Sequence, residues 1–182
     1  MKKLNFIIKC GLALLLLSFY SCESWLNVTP SDRLSEEMLF NDREGFVKAL
    51  NGVYIELNTN ELYGRNLTAG ALDVMGQYYS VASSSHAFYN YGGLVYTGND
   101  EKALFDNMWQ KCYAVIACCN TIIEKCDENK AGLSPVWKGA IKGEALALRA
   151  MLHFDMLRLF GPLTSELDKE SIPYQTNSDQ TV

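Results

Sequence analysis

Apolar residues recur along most of this chain at helical spacing. Phe46, Leu50, Val53, Tyr54 and Leu57 fall at i, i+4, i+7, i+8 and i+11, one face of an amphipathic helix over roughly residues 43–58. Asp42 stands where an N-cap is wanted. A second stripe of Phe105, Met108, Trp109, Cys112, Ile116, Cys119, Ile123 and Cys126, widened by Leu104, Val115 and Ile122, predicts a helix over about 101–127. Gly132 reads as a stop signal. Ser134-Pro135 then supplies an N-cap and a first helical residue, and the next helix runs to Phe160 before Gly161-Pro162. Two long helices joined by a short turn form an αα-hairpin. Weaker helical character covers about 69–79, and Ser35 with Glu36 and Glu37 can start a short turn.

Elsewhere the helical period fails. Residues 26–34, LNVTPSDRL, form an extended lead-in, since Thr29 precedes Pro30. Residues 78–100, YYSVASSSHAFYNYGGLVYTGND, mix Ser, Gly and Asn with Tyr and Phe. They read as a long loop with short strands near 88–91 and 94–96. Loops of this length inside a domain are often functional. The tail, 163–182, is polar and extended, with strand-like Ser171-Ile172-Pro173-Tyr174.

The first residues change the picture of where the chain works. Lys2, Lys3 and Lys9 precede an apolar run over 11–20. That run is the size of a signal-peptide core and short of the ~20 residues of a membrane span. It ends at Ser21-Cys22, a small residue before a cysteine, which resembles a lipoprotein lipobox, with Phe19 and Tyr20 departing from its strict form. Residues 1–21 are therefore read as a signal peptide and Cys22 as a lipid anchor. Residues 22–182 form one helical domain, a length suited to a single domain. Net charge is −5, which argues against a nucleic-acid partner.

Four more cysteines follow, Cys112, Cys118, Cys119 and Cys126. An even number in an exported chain raises the question of disulfides. Cys112, Cys119 and Cys126 recur every seven residues, ~10.5 Å apart along a helix axis, too far to bridge or to share one zinc ion. They read as small apolar core residues.

Residues 143–162, GEALALRAMLHFDMLRLFGP, gather Glu144, Arg149, His153, Asp155 and Arg158, the residue types of an acid–base site. A helical wheel disperses them. His153 and Asp155 lie about 160° apart, and Glu144 and Asp155 share a side but stand ~16.5 Å apart along the axis. Paired glycosidase carboxylates stand ~5–9.5 Å apart. No catalytic residue, metal ligand or cofactor is therefore assigned. The apolar residues of the stretch fall on two faces, Ile141, Ala145, Leu148, Leu152 and Leu159 on one and Leu146, Ala147, Ala150, Phe154 and Leu157 on the other, predicting burial on two sides. Arg149 and His153 should face outward or bond neighbouring loops, and Asp155 should pair with Arg158 at i, i+3.

Four segments together resemble the N-terminal part of the SusD/RagB family of outer-membrane nutrient-binding lipoproteins. They are Ser21-Cys22 with LNVTP and a short acidic helix, ALNGVYIEL (49–57), WQKCYAVIACCNTII (109–123), and GEALALRAMLHFDMLRLFGP with SIPY. The resemblance implies a mainly all-α fold of tetratricopeptide-like stacked hairpins with a long aromatic loop. It implies a surface-facing, lipid-anchored protein of the outer membrane that is not an enzyme. Such a protein captures glycans and delivers them to a SusC-like TonB-dependent transporter. Family members are longer, so the chain is expected to be a fragment or a short product. The alternative is a transporter-associated helical-repeat lipoprotein acting in peptide import or as a protein-only adaptor.

A glycan offers an apolar C–H face and a hydroxyl rim, so its site needs exposed rings beside polar atoms. The 78–96 loop has that composition. Tyr89, Asn90 and Tyr91 are the candidate ligand contacts, with Phe88 and Tyr96 behind them.

Overall fold

A computed structural model describes residues 36–163, 165, 168–169 and 171–179. The chain divides into two units, Met1–Glu36 and Glu37–Val182, and the hydrophobic core lies in the second. The signal peptide, Cys22, the 26–34 lead-in and Ser35 lie outside the described residues.

Six helices follow one another: α1 (Glu36–Leu39), α2 (Arg43–Leu57), α3 (Ala71–Met75), α4 (Tyr89–Gly92), α5 (Asn99–Glu128) and α6 (Pro135–Phe160). Asp42 caps α2, its Oδ1 accepting the Gly45 N–H at 2.8 Å. Gly45 is required at that cap because a Cβ there would run into the Leu39 carbonyl. Ser134 caps α6 by accepting the Trp137 N–H at 3.4 Å, with Pro135 at the first turn. The turn between α5 and α6 depends on Asn129, which takes a left-handed conformation at φ 48°. Its Oδ1 accepts the Leu133 N–H at 2.7 Å and its Nδ2 donates to the Leu133 carbonyl at 3.2 Å. Asn is one of the few residues that adopts this geometry at low cost, so it ends α5 ahead of Gly132.

The main core lies where α5 packs on α6 and α2 packs on both. Phe46, Leu50 and Val53 come from α2, Met108, Cys112, Ile116, Cys119 and Cys126 from α5, and Ile141, Ala145, Leu152 and Met156 from α6. The helical periods seen in the sequence are these buried faces. Cys112, Cys119 and Cys126 are fully buried free thiols, whereas Cys118 lies at the surface. Burial pushes the Cys112 and Cys119 thiols up to about 12, which leaves them protonated and poorly nucleophilic.

Three expectations change. The 69–79 helix shrinks to the five residues of α3. The strands near 88–91 and 94–96 are absent. Tyr89–Gly92 is a helical turn, 171–176 pairs with no strand, and no strand occurs among the described residues. The third change is in α6, where only one apolar face is buried. Leu146, Phe154 and Leu157 on the second face are exposed, Phe154 by 59%. Among the described residues α2 and α5 both pack from the Ile141–Leu152 side.

The charged residues of α6 serve as anchors. Tyr54 of α2 donates to Glu144 at 2.7 Å. Tyr63, in the loop after α2, donates to Asp155 at 2.5 Å, and Arg158 reaches the same carboxylate at 3.0 Å. Burial and the Asp155 charge hold the Tyr63 phenol protonated, far above its ordinary value. Arg149 donates to Asn120 of α5 at 2.7 Å. His153 is buried and bonds the backbone of the tail.

Unequal burial of the two faces of α6 makes a direct test. Leu152→Ala is expected to lower unfolding free energy by about 2–5 kcal/mol. Phe154→Ala, losing an exposed ring and its Arg158 contact, should stay within about 1 kcal/mol. Urea unfolding of the two variants checks this, and equal losses would contradict the one-sided burial.

Candidate functional site

The aromatic loop hangs between α3 and α5. At the end of α3, Gln77 takes φ 59° and its Nε2 donates to the Gly92 carbonyl at 2.8 Å, tying the end of α3 to α4. Tyr79 donates its hydroxyl to the Ala69 and Gly70 carbonyls, holding the strand of chain that leaves α3. His86 Nδ1 accepts the Phe88 N–H at 3.0 Å and shapes the turn into α4.

α4 sorts the candidate residues by direction. Tyr91 is 2% exposed and packs with Ala71 and Val74 in a second core cluster. Its ring meets Phe88 edge-on at 5.8 Å and Phe105 at 5.9 Å, with Tyr96 at 6.5 Å. Burial, with the nearby Glu101 charge, pushes its phenol up to about 12. Tyr96 packs edge-on against Phe105 at 5.3 Å. Phe88 is half-buried, with Arg65 over its ring at 5.7 Å. Tyr89 points out, 43% exposed. Asn90 is at the surface, but its amide nitrogen donates to Glu101 at 2.7 Å. That bond holds the Glu101 carboxylate below its ordinary value.

The structure thus brings Phe88, Tyr91 and Tyr96 together as a packed base on Phe105 and leaves Tyr89 outside it. The placement of Tyr91 beside Tyr89 as an open ring is corrected. One residue separates them, and on a helical turn that puts the two side chains on different sides. Tyr78, 83% exposed, is the most open ring of the loop, and Leu94 and Val95 are exposed beside α4. Tyr78 was within the aromatic run in the sequence. Nothing in the run itself distinguishes Tyr78 from its neighbours; it follows Gly76-Gln77 at the end of α3.

Away from the loop, an open groove of about 450 Å³ is lined by Glu61, Asn107, Gln110, Lys111 and Ala114. It carries no ring. Lys111 there pairs with Glu56. The Glu144, His153 and Asp155 side chains each bond a different structural partner, so they do not assemble an acid–base pair. Among the described residues no three His, Cys, Asp or Glu side chains group as a metal site, and no helix is long and apolar enough to cross a membrane.

Comparison with known proteins adds to this geometry. A family model described as SusD-like_3, starch-binding associating with outer membrane, matches residues 24–182. SusD-like protein P2 of Formosa agariphila is 26% identical over 166 residues, which cover 88% of this chain and 30% of that protein. The chain therefore spans less than a third of the length of the curated relative it matches. No solved structure matches it. With the family model covering residues 24–182, this helical protein belongs to the SusD/RagB family of starch-binding, outer-membrane-associated proteins.

Proposed function

We propose that this chain is the helical part of a surface-facing glycan-binding lipoprotein. Cys22 anchors it in the outer membrane, and it passes oligosaccharides to a SusC-like TonB-dependent transporter. The observation that carries the glycan reading is the mounting of the aromatic loop. Tyr78 and Tyr89 are exposed rings; Tyr89 opens α4, whose Tyr91 packs with Phe88, Tyr96 and Phe105 of α5, and Tyr78 follows the end of α3. An exposed ring on a rigid support loses little entropy when a sugar face covers it. Asn90, held by Glu101, supplies a polar atom beside Tyr89. The lipid reading rests on Ser21-Cys22 after an apolar run. Acyl chains contribute ~0.8 kcal/mol per buried methylene.

A second reading, a protein-only adaptor or peptide importer, draws support from the exposed apolar side of α6, where Val136, Leu146, Phe154 and Leu157 lie open. It needs no ring at the loop.

Calorimetry of the full-length protein against a polysaccharide panel separates the two. Tyr89→Ala is expected to weaken glycan binding about five- to tenfold, the equivalent of ~1–1.4 kcal/mol, with unchanged stability. Tyr91→Ala should instead cost about 3–5 kcal/mol of stability because its ring is buried. Absence of binding to any glycan would favour the adaptor, and glycan affinity indifferent to Tyr78 and Tyr89 would move the site off the loop. The anchor has its own test. Cys22→Ser should abolish labelling by a radioactive fatty acid and release the protein from the membrane fraction, and retained labelling would refute the assignment.

A further inference from the structure

After α6 the chain returns across α5 and α6, and side chains of the two helices receive its backbone. Tyr113 donates to the Pro173 carbonyl at 2.8 Å. Asn120, fully buried, donates to the Gln175 carbonyl at 3.4 Å and the Asn177 carbonyl at 3.1 Å. Arg149 donates to the Thr176 carbonyl at 3.2 Å. Glu124 accepts from the Ser178 N–H at 2.8 Å and its hydroxyl at 2.5 Å. Residues 173–178 are thus a strap held through its main chain.

His153 sits under the middle of this strap, 3% exposed. Its Nε2 accepts the Gln175 N–H at 3.1 Å. A nitrogen that accepts from an amide carries no proton, so the proton of the neutral ring is on Nδ1, which donates to the Arg149 carbonyl at 2.9 Å. Tyr174 of the strap lies tilted against the ring at 4.3 Å and Tyr113 meets it edge-on at 6.2 Å. A proton added at Nε2 would set N–H against N–H at Gln175 and strand a buried charge.

We propose that residues 173–178 form a pH-sensitive strap, latched by neutral His153 and released when that imidazole is protonated. Opening uncovers Tyr113, Asn120, Arg149 and His153, a row of side chains arranged to bind the backbone of an extended segment.

The charges around the ring agree with this direction. From α6 the nearby ionised group is Arg149, which repels an imidazolium. From α5 the neighbours are the Tyr113 phenol, pushed up to about 12 by burial, and the Cys112 thiol, both neutral. Glu124, the α5 carboxylate on the strap, is engaged by Ser178. From the strap itself comes the Tyr174 phenol, with Asp179 following Ser178. Burial first, then the Arg149 charge, holds His153 below its ordinary 6.5, against the opposing effect of the Arg149 carbonyl bond. A group whose pKa is depressed by docking stabilises the docked form above its free value and loses that contribution as pH falls below it.

Hydrogen–deuterium exchange mass spectrometry on the full-length protein tests the strap, with rates corrected for the intrinsic effect of pH. Protection of the peptide covering 171–179 is expected to fall about tenfold between about pH 7.5 and 5.5, while peptides of α5 stay protected. His153→Gln, whose amide oxygen can accept the Gln175 N–H without titrating, should keep the strap docked at both pH values. Glu124→Gln should leave the pH-dependent release in place. Unchanged strap protection in the wild type at about pH 5.5 would overturn the proposal. Equal release in His153→Gln, or loss of the pH response in Glu124→Gln, would overturn it as well. If His153→Gln leaves the strap open throughout, the Glu124→Gln comparison decides between the two groups.

Discussion

Where α5 presses on α6, the interface is filled by Met108, Cys112, Ile116, Cys119, Ala145, Leu152 and Met156, and water is excluded from both helix faces. Polar groups at the margin of such a seam must find partners inside the protein, because an unpaired buried donor or acceptor costs ~1–3 kcal/mol. His153 is buried at that margin, with Arg149 and Asp155 partly so, and they bond the strap, α5 and the loop after α2, while Glu144 at the surface bonds α2. Among the described residues no buried side-chain nitrogen or oxygen lacks a partner. One helix therefore fixes the position of four neighbours through directional bonds, while the apolar contacts supply most of the energy without direction.

The helices and the core of the hairpin could be read from periodicity because burial imposes a period of 3.6 on the chain itself. Phe46, Cys112, Ile116 and Leu152 occupy the core for that reason. The second apolar face of α6 could not be resolved the same way. Phe154 and Leu157 have the spacing of a buried face, and spacing does not say whether anything packs there. The fate of Tyr91 was equally hidden. Tyr89 and Tyr91 are chemically alike, and only the helical turn of α4 sends one inward and the other out. The helical wheel directs His153 outward or against a neighbouring loop. Its bond to Gln175 depends on a contact twenty-two residues away in sequence, which no local pattern encodes.

Rings connect the two regions of interest. From Phe88 the contacts pass through Tyr91 to Phe105, then Phe160, Trp109, Tyr113, His153 and Tyr174, all with centroids within 6.2 Å of the next. Edge-to-face geometry recurs along this path, and each such pair adds ~0.5–1.5 kcal/mol beyond area burial. The loop is thereby mounted on the helical core through stiff side chains.

The left-handed Asn129 between α5 and α6 bears on the order of assembly. It closes the largest helix–helix interface across a turn of a few residues, so the loop entropy of forming that interface is small. Contacts near in sequence form faster than distant ones. The hairpin can therefore stand as a template before α2 and the strap reach it. With its buried thiols kept as uncharged packing atoms, the hairpin acquires its shape without waiting for oxidation.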